Sequence, residues 1–204
     1  MIEREHISAG RLFANTSKDL PEERYRGREL MTDYNMTRPS EIEKRINLAK
    51  KMFKKIGERF LIEPPVYFAY GSRISIGEEF RACCNLTVID DWKVDIGNGV
   101  LIGPNVTIST TVHPTDPGKR RAGYIYGFKV VIEDDVWIES GVLINPGVTI
   151  GRGSVIGAGS VVTGDIPPYV LAAGNPCKIL RPIGPDDAAC YCREWHLPNP
   201  DNFH

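Results

Sequence analysis

The side chain in this sequence best suited to chemistry is a histidine, because only an unperturbed imidazole changes its charge near neutral pH. The chain has four histidines. His6 and His204 lie near its ends and His196 lies in a polar C-terminal stretch, where a solvated side chain is the simplest interpretation. His113 differs, because it closes a series of short repeats and stands directly before a long interruption of them. Long loops that leave a regular fold commonly carry function, so His113 is the candidate general base.

Serine and cysteine offer weaker candidates. No serine lies in a G-x-S-x-G nucleophile elbow, which leaves a covalent serine route unsupported. The five cysteines are an adjacent pair, a lone C-x-C and a single residue, in an arrangement that matches neither zinc spacing nor a disulfide framework (Cys83, Cys84, Cys177, Cys190 and Cys192). Cys83 is an alternative nucleophilic thiol, although no neighbouring motif supports that role. This cysteine usage is typical of a reducing compartment, so we expect a cytoplasmic protein without a bound metal.

Composition limits the partners of the chain. Lys and Arg number 25 and Asp and Glu 26, so a net charge of −1 gives no overall attraction to nucleic acid or to an acidic membrane. No apolar run approaches the roughly 20 residues of a bilayer span, and the N-terminus lacks a signal-peptide core. The 20 glycines and 15 prolines occur without low-complexity tracts, which indicates many tight corners.

The elements that position these residues are short repeats. Aliphatic side chains recur at every sixth position, in nine places that share one phase: Ile96, Ile102, Ile108, Ile132, Ile138, Ile144, Ile150, Ile156 and Val162. An earlier set has the same period in another phase (Ile76, Ala82 and Val88), and a slip of two residues falls at 90–93. A helix would show a period near 3.6 and a simple strand a period of 2. Six-residue units fit short strands that turn a corner each time, three to a coil, stacked about 4.8 Å apart.

The N-terminal third is predicted to be helical. Ser40 and Glu43 have the spacing of a capping box, followed by apolar residues on one face and a predicted end at Gly57 (Ile42, Ile46, Ala49, Phe53 and Ile56). A preceding helix opens at 19–22 with an early proline. The predicted organisation is a helical cap over 1–60, a mostly β repeat domain over 61–182 with a protruding loop at 114–129, and a polar tail over 183–204.

The repeats also carry a family resemblance. The pattern [LIV]-[GxSTN]-x-x-[VS]-x resembles the hexapeptide-repeat acyltransferases, and four segments are similar to the maltose and galactoside O-acetyltransferases (Ile144–Gly151, Ile156–Thr163, Asp165–Pro168 and Ala173–Cys177). The resemblance extends from about residue 6 to 183. It implies a left-handed parallel β-helix, acetyl-CoA as co-substrate, acetyl transfer to a hydroxyl by direct attack, and a homotrimer with sites between subunits.

The resemblance also implies roles for particular residues. The motif Thr111-Val-His113-Pro114 matches the family's catalytic histidine, and the backbone N–H of Ser140 corresponds to the donor that faces the developing oxyanion. The coenzyme-contacting positions would be Trp137, Ser140, Ala158, Thr163, Lys178 and Arg181, the last two as cations for phosphates. Gly164 stands where relatives usually carry Lys or Arg, so one donor contact is absent.

The acceptor side matches less well. Asp91 is kept and Tyr70 lies among the acceptor-binding positions, but Asn15 replaces an Asp, Ala69 a Ser or Asp, and Cys83 an Asn. Ile125 replaces a Glu that often steadies the catalytic histidine. Acetyl transfer is therefore better supported than any particular sugar acceptor.

Alternatives within the same architecture are weaker. A γ-class carbonic anhydrase needs three zinc-binding histidines, whereas the repeats contain one. A sugar nucleotidyltransferase needs a preceding nucleotide-binding domain, which about 65 helical residues do not supply. A xenobiotic acetyltransferase that takes chloramphenicol-like alcohols and a non-catalytic β-helix scaffold both stay open.

Overall fold

The computed structural model describes residues 13–14, 20–188, 190–192 and 195–196. Two helices come first, α1 (Leu20–Asn35) and α2 (Ile42–Met52). Helix α1 has Pro21 at its second position and Glu22 and Glu23 in its first turn, where a carboxylate is favourable next to the positive end of the helix dipole. No helix in the described part of the chain has the length and apolar composition to cross a membrane.

The capping-box prediction for α2 is wrong. The cap residue is Glu41, which makes no side-chain cap hydrogen bond, and its Oε2 accepts instead from the N–H of Arg38 at 2.7 Å. The helix also ends at Met52, before Gly57, because the next residues pair with the repeat domain: the N–H of Lys54 donates to the Ile74 carbonyl at 3.0 Å. Ile42, predicted on the apolar face, is 64% exposed.

The remainder is a parallel β-helix with three faces. Face I consists of β4 (Ile74–Ile76), β7 (Val94–Ile96), β12 (Val130–Ile132) and β15 (Thr149–Ile150). Face II consists of β2 (Phe60–Ile62), β5 (Phe80–Ala82), β8 (Leu101–Ile102), β13 (Trp137–Ile138), β16 (Val155–Ile156), β18 (Val170–Ala173) and β19 (Lys178–Pro182). Face III consists of β3 (Val66–Phe68), β6 (Leu86–Ile89), β9 (Thr107–Ser109), β14 (Leu143–Ile144) and β17 (Val161–Val162).

The six-residue period is the period of burial in this β-helix. All nine in-phase aliphatic residues, from Ile96 to Val162, are at most 5% exposed, and Ile76, Ala82 and Val88 are at most 4% exposed. Burying each isoleucine contributes about 1.5–3 kcal/mol. The prediction of a parallel β-helix core is confirmed.

The two irregularities in the repeat have separate structural causes. Ile76 pairs with Ile96, 20 residues later, whereas Ile132 pairs with Ile150 after the regular 18. The slip therefore enlarges one corner, at 90–93, by two residues. Ile96 pairs with Ile132, 36 residues later, which is twice the regular coil length. The protruding segment therefore adds the length of one coil, and the six-residue period has the same phase before and after it.

The protruding segment forms a hairpin with a helical tip. Strand β10 (Thr111–Val112) pairs antiparallel with β11 (Tyr124–Gly127), and β11 also pairs with β1 (Phe13–Ala14). Helix α3 (Pro117–Arg121) forms the tip, where the Asp116 carboxylate accepts from the N–H of Lys119 at 2.8 Å. After the β-helix come a 3-10 turn (Pro185–Ala188), β20 (Cys190–Cys192) and β21 (Trp195–His196).

Candidate active site

His113 lies at the base of the hairpin, on an exposed part of the surface directly after β10. The residue two places before it, Thr111, donates from its Oγ1 to Oδ2 of Asp91 at 2.5 Å. Asp91 is 9% exposed. A nearly buried carboxylate therefore lies against the strand that leads directly to the candidate base.

Asp91 belongs to the enlarged corner at 90–93, and a buried threonine holds that corner in place. Thr110 is fully buried; its Oγ1 donates to the Ile89 carbonyl and accepts from the Trp92 N–H, each at 2.8 Å. The guanidinium of Arg73 donates to the Asp91 carbonyl oxygen. These contacts hold both ends of the corner and the backbone between them.

The neighbouring Asp90 holds the backbone of the preceding coil at residues 69–71. Its carboxylate accepts from the N–H groups of Ala69, Tyr70 and Gly71 at 2.8, 2.9 and 2.7 Å. Burial raises the pKa of this carboxyl, while the three backbone donors act in the opposite direction. Gly71 has φ +76, a conformation that favours glycine. Asp90 therefore determines the backbone path at two acceptor positions, Ala69 and Tyr70, which are 8% and 2% exposed.

Tyr70 lies beneath two arginines. The guanidinium carbon of Arg73 is 3.8 Å from the ring centroid and that of Arg24 is 5.8 Å away. Burial raises the pKa of Tyr70, so its hydroxyl stays protonated at neutral pH. Arg73 also pairs with Glu23 of α1 at 3.2 Å, which links the helical cap to the Asp91 corner.

Ile125 and Asn15 complete the predicted acceptor side. Ile125 is 4% exposed and packs against Trp92, so this position provides apolar contact in the hairpin base. Asn15 lies outside the described residues.

A second group of predicted residues lies at another edge of the β-helix, where face II turns into face III. Cys83 and Ser140 are exposed at this edge, and Ala158 occupies the position in the next coil that corresponds to Ser140. Gly103 allows close stacking here, because a Cβ at that position would lie 2.8 Å from the Ser140 nitrogen. The N–H of Ala158 donates to Oε2 of Glu139 at 2.9 Å, so a carboxylate of the chain itself binds a predicted coenzyme contact. Trp137, on β13 just before this edge, is 41% exposed.

The predicted phosphate-binding cations lie on β19, which runs antiparallel to β18. Lys178 is exposed and has no ion-pair partner in the part of the chain that the structure describes. Arg181 donates to both carboxylate oxygens of Asp187, at 2.9 and 2.6 Å. This hydrogen bonding raises the pKa of Arg181 and lowers that of Asp187 to about 2. Thr163 and Gly164 are exposed beyond β17, at the corner where face III turns into face I.

The structure thus separates the predicted site residues into two edges. The His113 edge, where face III turns into face I, holds Ala69, Tyr70, Asp91, His113 and, in a later coil, Thr163; the Ser140 edge, where face II turns into face III, holds Cys83, Ser140 and Ala158. Sequence reasoning missed Thr111 and Glu139 as contacts, although each stands within two positions of a predicted residue. It also missed Asp187, for which no pattern in the tail gave a signal.

A parallel β-helix of six-residue repeats with a helical cap and a histidine-bearing hairpin defines the class of hexapeptide-repeat transferases. Residues 129–164 match the model described as "Bacterial transferase hexapeptide (six repeats)", and residues 7–57 match the "Maltose acetyltransferase hexapeptide capping motif". The chain is 53% identical over 193 residues to galactoside O-acetyltransferase of Escherichia coli K12, a match that covers 95% of each chain. The protein therefore belongs to the maltose and galactoside O-acetyltransferase family and is an acyltransferase.

Solved structures support the same family membership. A galactoside acetyltransferase in complex with coenzyme A is 52% identical, with a TM-score of 0.94, and the match covers 97% of this chain and 99% of that one. A maltose O-acetyltransferase from Clostridium difficile is 40% identical, with a TM-score of 0.87, over 90% of this chain and 98% of that one.

Proposed function

We propose that this protein transfers an acetyl group from acetyl-CoA to a hydroxyl of a sugar or sugar-like acceptor, with His113 as general base. The observation that carries the proposal is the placement of His113, which is exposed at the hairpin base directly after β10, the strand whose Thr111 hydroxyl donates to the nearly buried Asp91. The coenzyme A complex of a 52% identical relative supports acetyl-CoA as the donor.

The proposed reaction is a direct transfer. The imidazole of His113 removes the proton of the acceptor hydroxyl as its oxygen attacks the thioester carbonyl carbon. The carbonyl oxygen gains negative charge, and the backbone N–H of Ser140 stabilises it. The carbon–sulfur bond then breaks, and the coenzyme A thiolate takes the proton from the imidazolium. Atoms and charges balance without a metal or a covalent enzyme intermediate.

Each substrate has its own set of contacts in this proposal. Asp91 accepts a hydrogen bond from the acceptor, next to Tyr70 and Ala69. Trp137 and Ala158 contact the pantetheine arm of the coenzyme along the Ser140 edge, and Thr163 contacts that arm from the corner where face III turns into face I. Lys178 and Arg181 on β19 bind its phosphates as cations.

The separation of the two edges supports a homotrimer with its sites between subunits. In one chain, face III lies between the His113 edge and the Ser140 edge. A cyclic arrangement of identical chains places one edge of each copy against the other edge of its neighbour. Analytical ultracentrifugation is the direct test, with a trimer mass as the expected result and a monomer that retains full activity as the contrary one.

The test of the proposed activity is a screen of hydroxyl acceptors with acetyl-CoA, read by release of the free thiol. Galactosides and maltose form one arm and chloramphenicol-like alcohols the other, because the departures at Ala69 and Cys83 favour a changed acceptor. Acetylated product in the sugar arm is the expected result, with slow turnover of simple galactosides and maltose. Turnover of the alcohols alone would identify a xenobiotic acetyltransferase, and no turnover in either arm would favour a non-catalytic scaffold.

A further inference from the structure

The hydrogen bond between Thr111 and Asp91 joins two parts of the site that come from different segments of the chain, the hairpin and the preceding coil. Thr111 begins β10, the strand that leads directly to His113, whereas Asp91 lies in the enlarged corner of the preceding coil. Their 2.5 Å separation is the length of a charge-assisted bond from a hydroxyl to a carboxylate. Asp91 is 9% exposed, so water screens this contact only weakly.

Both partners of this bond are held in place by further contacts. On the side of Asp91, the corner is fastened by Thr110 and Arg73. On the side of the hairpin, Thr111 is in register with Gly127 of β11, and the N–H of Phe128 donates to the Thr110 carbonyl at 2.8 Å. The Thr111 hydroxyl is therefore a direct side-chain link between two rigid pieces of backbone.

The link also selects which carboxylate oxygen is available. Oδ2 of Asp91 accepts from Thr111, whereas Oδ1 has no hydrogen-bond partner among the residues that the structure describes. A carboxylate bound at one oxygen presents the other in a defined direction. Asp91 is thus arranged to accept one more hydrogen bond, on the edge that carries His113.

We propose that Thr111 is a positioning residue for acetyl transfer. Its hydroxyl sets the orientation of the Asp91 carboxylate and its spacing from the His113 imidazole, so that an acceptor bound to Asp91 has its reactive hydroxyl within reach of the base. This inference rests on the proposed function, in which Asp91 binds the acceptor and His113 removes its proton. It adds a residue that touches neither substrate and acts through both of those groups.

The test compares Thr111→Val, which removes the hydroxyl and keeps the shape, with wild type in steady-state kinetics. We expect kcat/KM for the acceptor to fall about ten- to a hundred-fold, mainly through kcat, because a misplaced hydroxyl loses effective molarity. The KM for acetyl-CoA should stay unchanged. Thr111→Ser, which restores the hydroxyl, should return kcat to within a few-fold of wild type.

A second readout separates positioning from folding. Slow hydrolysis of acetyl-CoA without an acceptor needs His113 but not the orientation of Asp91, so Thr111→Val should retain it. Thr107→Val is the matched control: Thr107 lies on the adjacent β9, is half-buried, and makes no side-chain hydrogen bond within the described residues. This control should leave every rate unchanged. Should Thr111→Val not fold, Thr111→Ala provides a second variant without the hydroxyl.

Two kinds of result would overturn the inference. A Thr111→Val enzyme with wild-type kcat, or one that loses acceptor transfer and hydrolysis in equal proportion with a lowered melting temperature, would leave Thr111 with at most a structural role. A wild-type enzyme that acetylates no hydroxyl acceptor would overturn the proposed function itself, and the inference with it. Wild-type turnover in the same assay distinguishes the two failures.

Discussion

The carboxylate of Asp187 holds the guanidinium of Arg181 through two hydrogen bonds, of 2.9 and 2.6 Å, at the end of the β-helix. Oδ2 of Asp187 also accepts from the N–H of Gly184 at 2.9 Å. Arg181 is the predicted ligand for a coenzyme phosphate. A phosphate that binds there must share or displace this carboxylate, so the predicted coenzyme site at Arg181 implies competition between Asp187 and the coenzyme for one cation.

The first prediction concerns the two cations themselves. Replacing Lys178 or Arg181 by alanine should raise the KM for acetyl-CoA more than the KM for acetyl-dephospho-CoA, because a contact between a cation and a phosphate is lost. Steady-state kinetics with both donors provides the comparison. Equal changes in the two KM values would show that these cations do not contact the phosphate that distinguishes the donors.

The second prediction concerns Asp187, the carboxylate that pairs with Arg181. Asp187→Asn should lower the KM for acetyl-CoA by a few-fold, because Arg181 no longer has a charged partner to release. Asp186→Asn, an exposed neighbour in the same turn, is the matched control and should have no effect. An unchanged KM in Asp187→Asn would mean that the ion pair persists beside the coenzyme.

The pH dependence of this competition follows from the same pair. Arg181 lowers the pKa of Asp187 to about 2, so the carboxylate is ionised at any pH used to assay the enzyme. The negative charge that Asp187 places beside Arg181 is lost only as the pH falls through this lowered pKa. We therefore expect the ratio of the KM of Asp187→Asn to that of wild type to be constant between about pH 6 and 9. A ratio that changes within this window would assign the effect to another group.

The third prediction concerns the base. His113→Ala should lower kcat by about 10²–10⁴-fold, the range for removing a general base, with little change in the binding of acetyl-CoA. The measurements are kcat for the acceptor and isothermal titration of the coenzyme. Turnover within a few-fold of wild type would remove His113 from the mechanism.

The fourth prediction concerns the acceptor pocket. Cys83→Asn should raise kcat/KM for a galactoside, because an amide offers two donors and an acceptor where a thiol offers only weak ones. An unpaired buried hydroxyl costs about 1–3 kcal/mol, which corresponds to roughly five- to a hundred-fold in kcat/KM. Cys83→Ala is the control, since it removes the thiol without adding an amide. A loss of activity in Cys83→Asn would indicate that Cys83 serves the natural acceptor.

The fifth prediction concerns stability. Asp90→Asn should lower the free energy of unfolding by about 1.5–3 kcal/mol, because the amide nitrogen cannot accept one of the three backbone N–H bonds that the carboxylate receives. Urea unfolding provides the measurement. Asp95→Asn, which weakens a half-exposed ion pair with Lys129, is the control and should cost about 1 kcal/mol or less. Equal losses in both variants would contradict a special role for the Asp90 corner.

Most of the β-helix was predictable from the sequence because burial repeats with a short period. A residue that turns inward at every sixth position must be apolar whatever its partner, so Ile96 to Val162 reveal the coil by type alone. The position of His113 at the interruption was equally visible, because the phase on either side shows that something has been inserted. The helical prediction failed at Ser40, because the cap residue is Glu41 and its carboxylate accepts from the nearby Arg38 N–H. It failed at Gly57 because the chain after Met52 pairs with the β-helix instead of continuing the helix.

The candidate site depended on the tertiary structure at the places where residues from different coils meet. Thr111 contacts a carboxylate 20 positions earlier, and Glu139 a backbone N–H 19 positions later. Neither contact is marked by a period or a motif in the sequence, because each hydrogen bond depends on which coils are stacked and on how many residues each corner contains. The sequence by itself determined the coil, its inward face and the residue most suited to act as a base. Only the folded chain decided which carboxylate binds the strand before the candidate base and which carboxylates bind the predicted coenzyme contacts, because these pairings exist only after the coils have stacked.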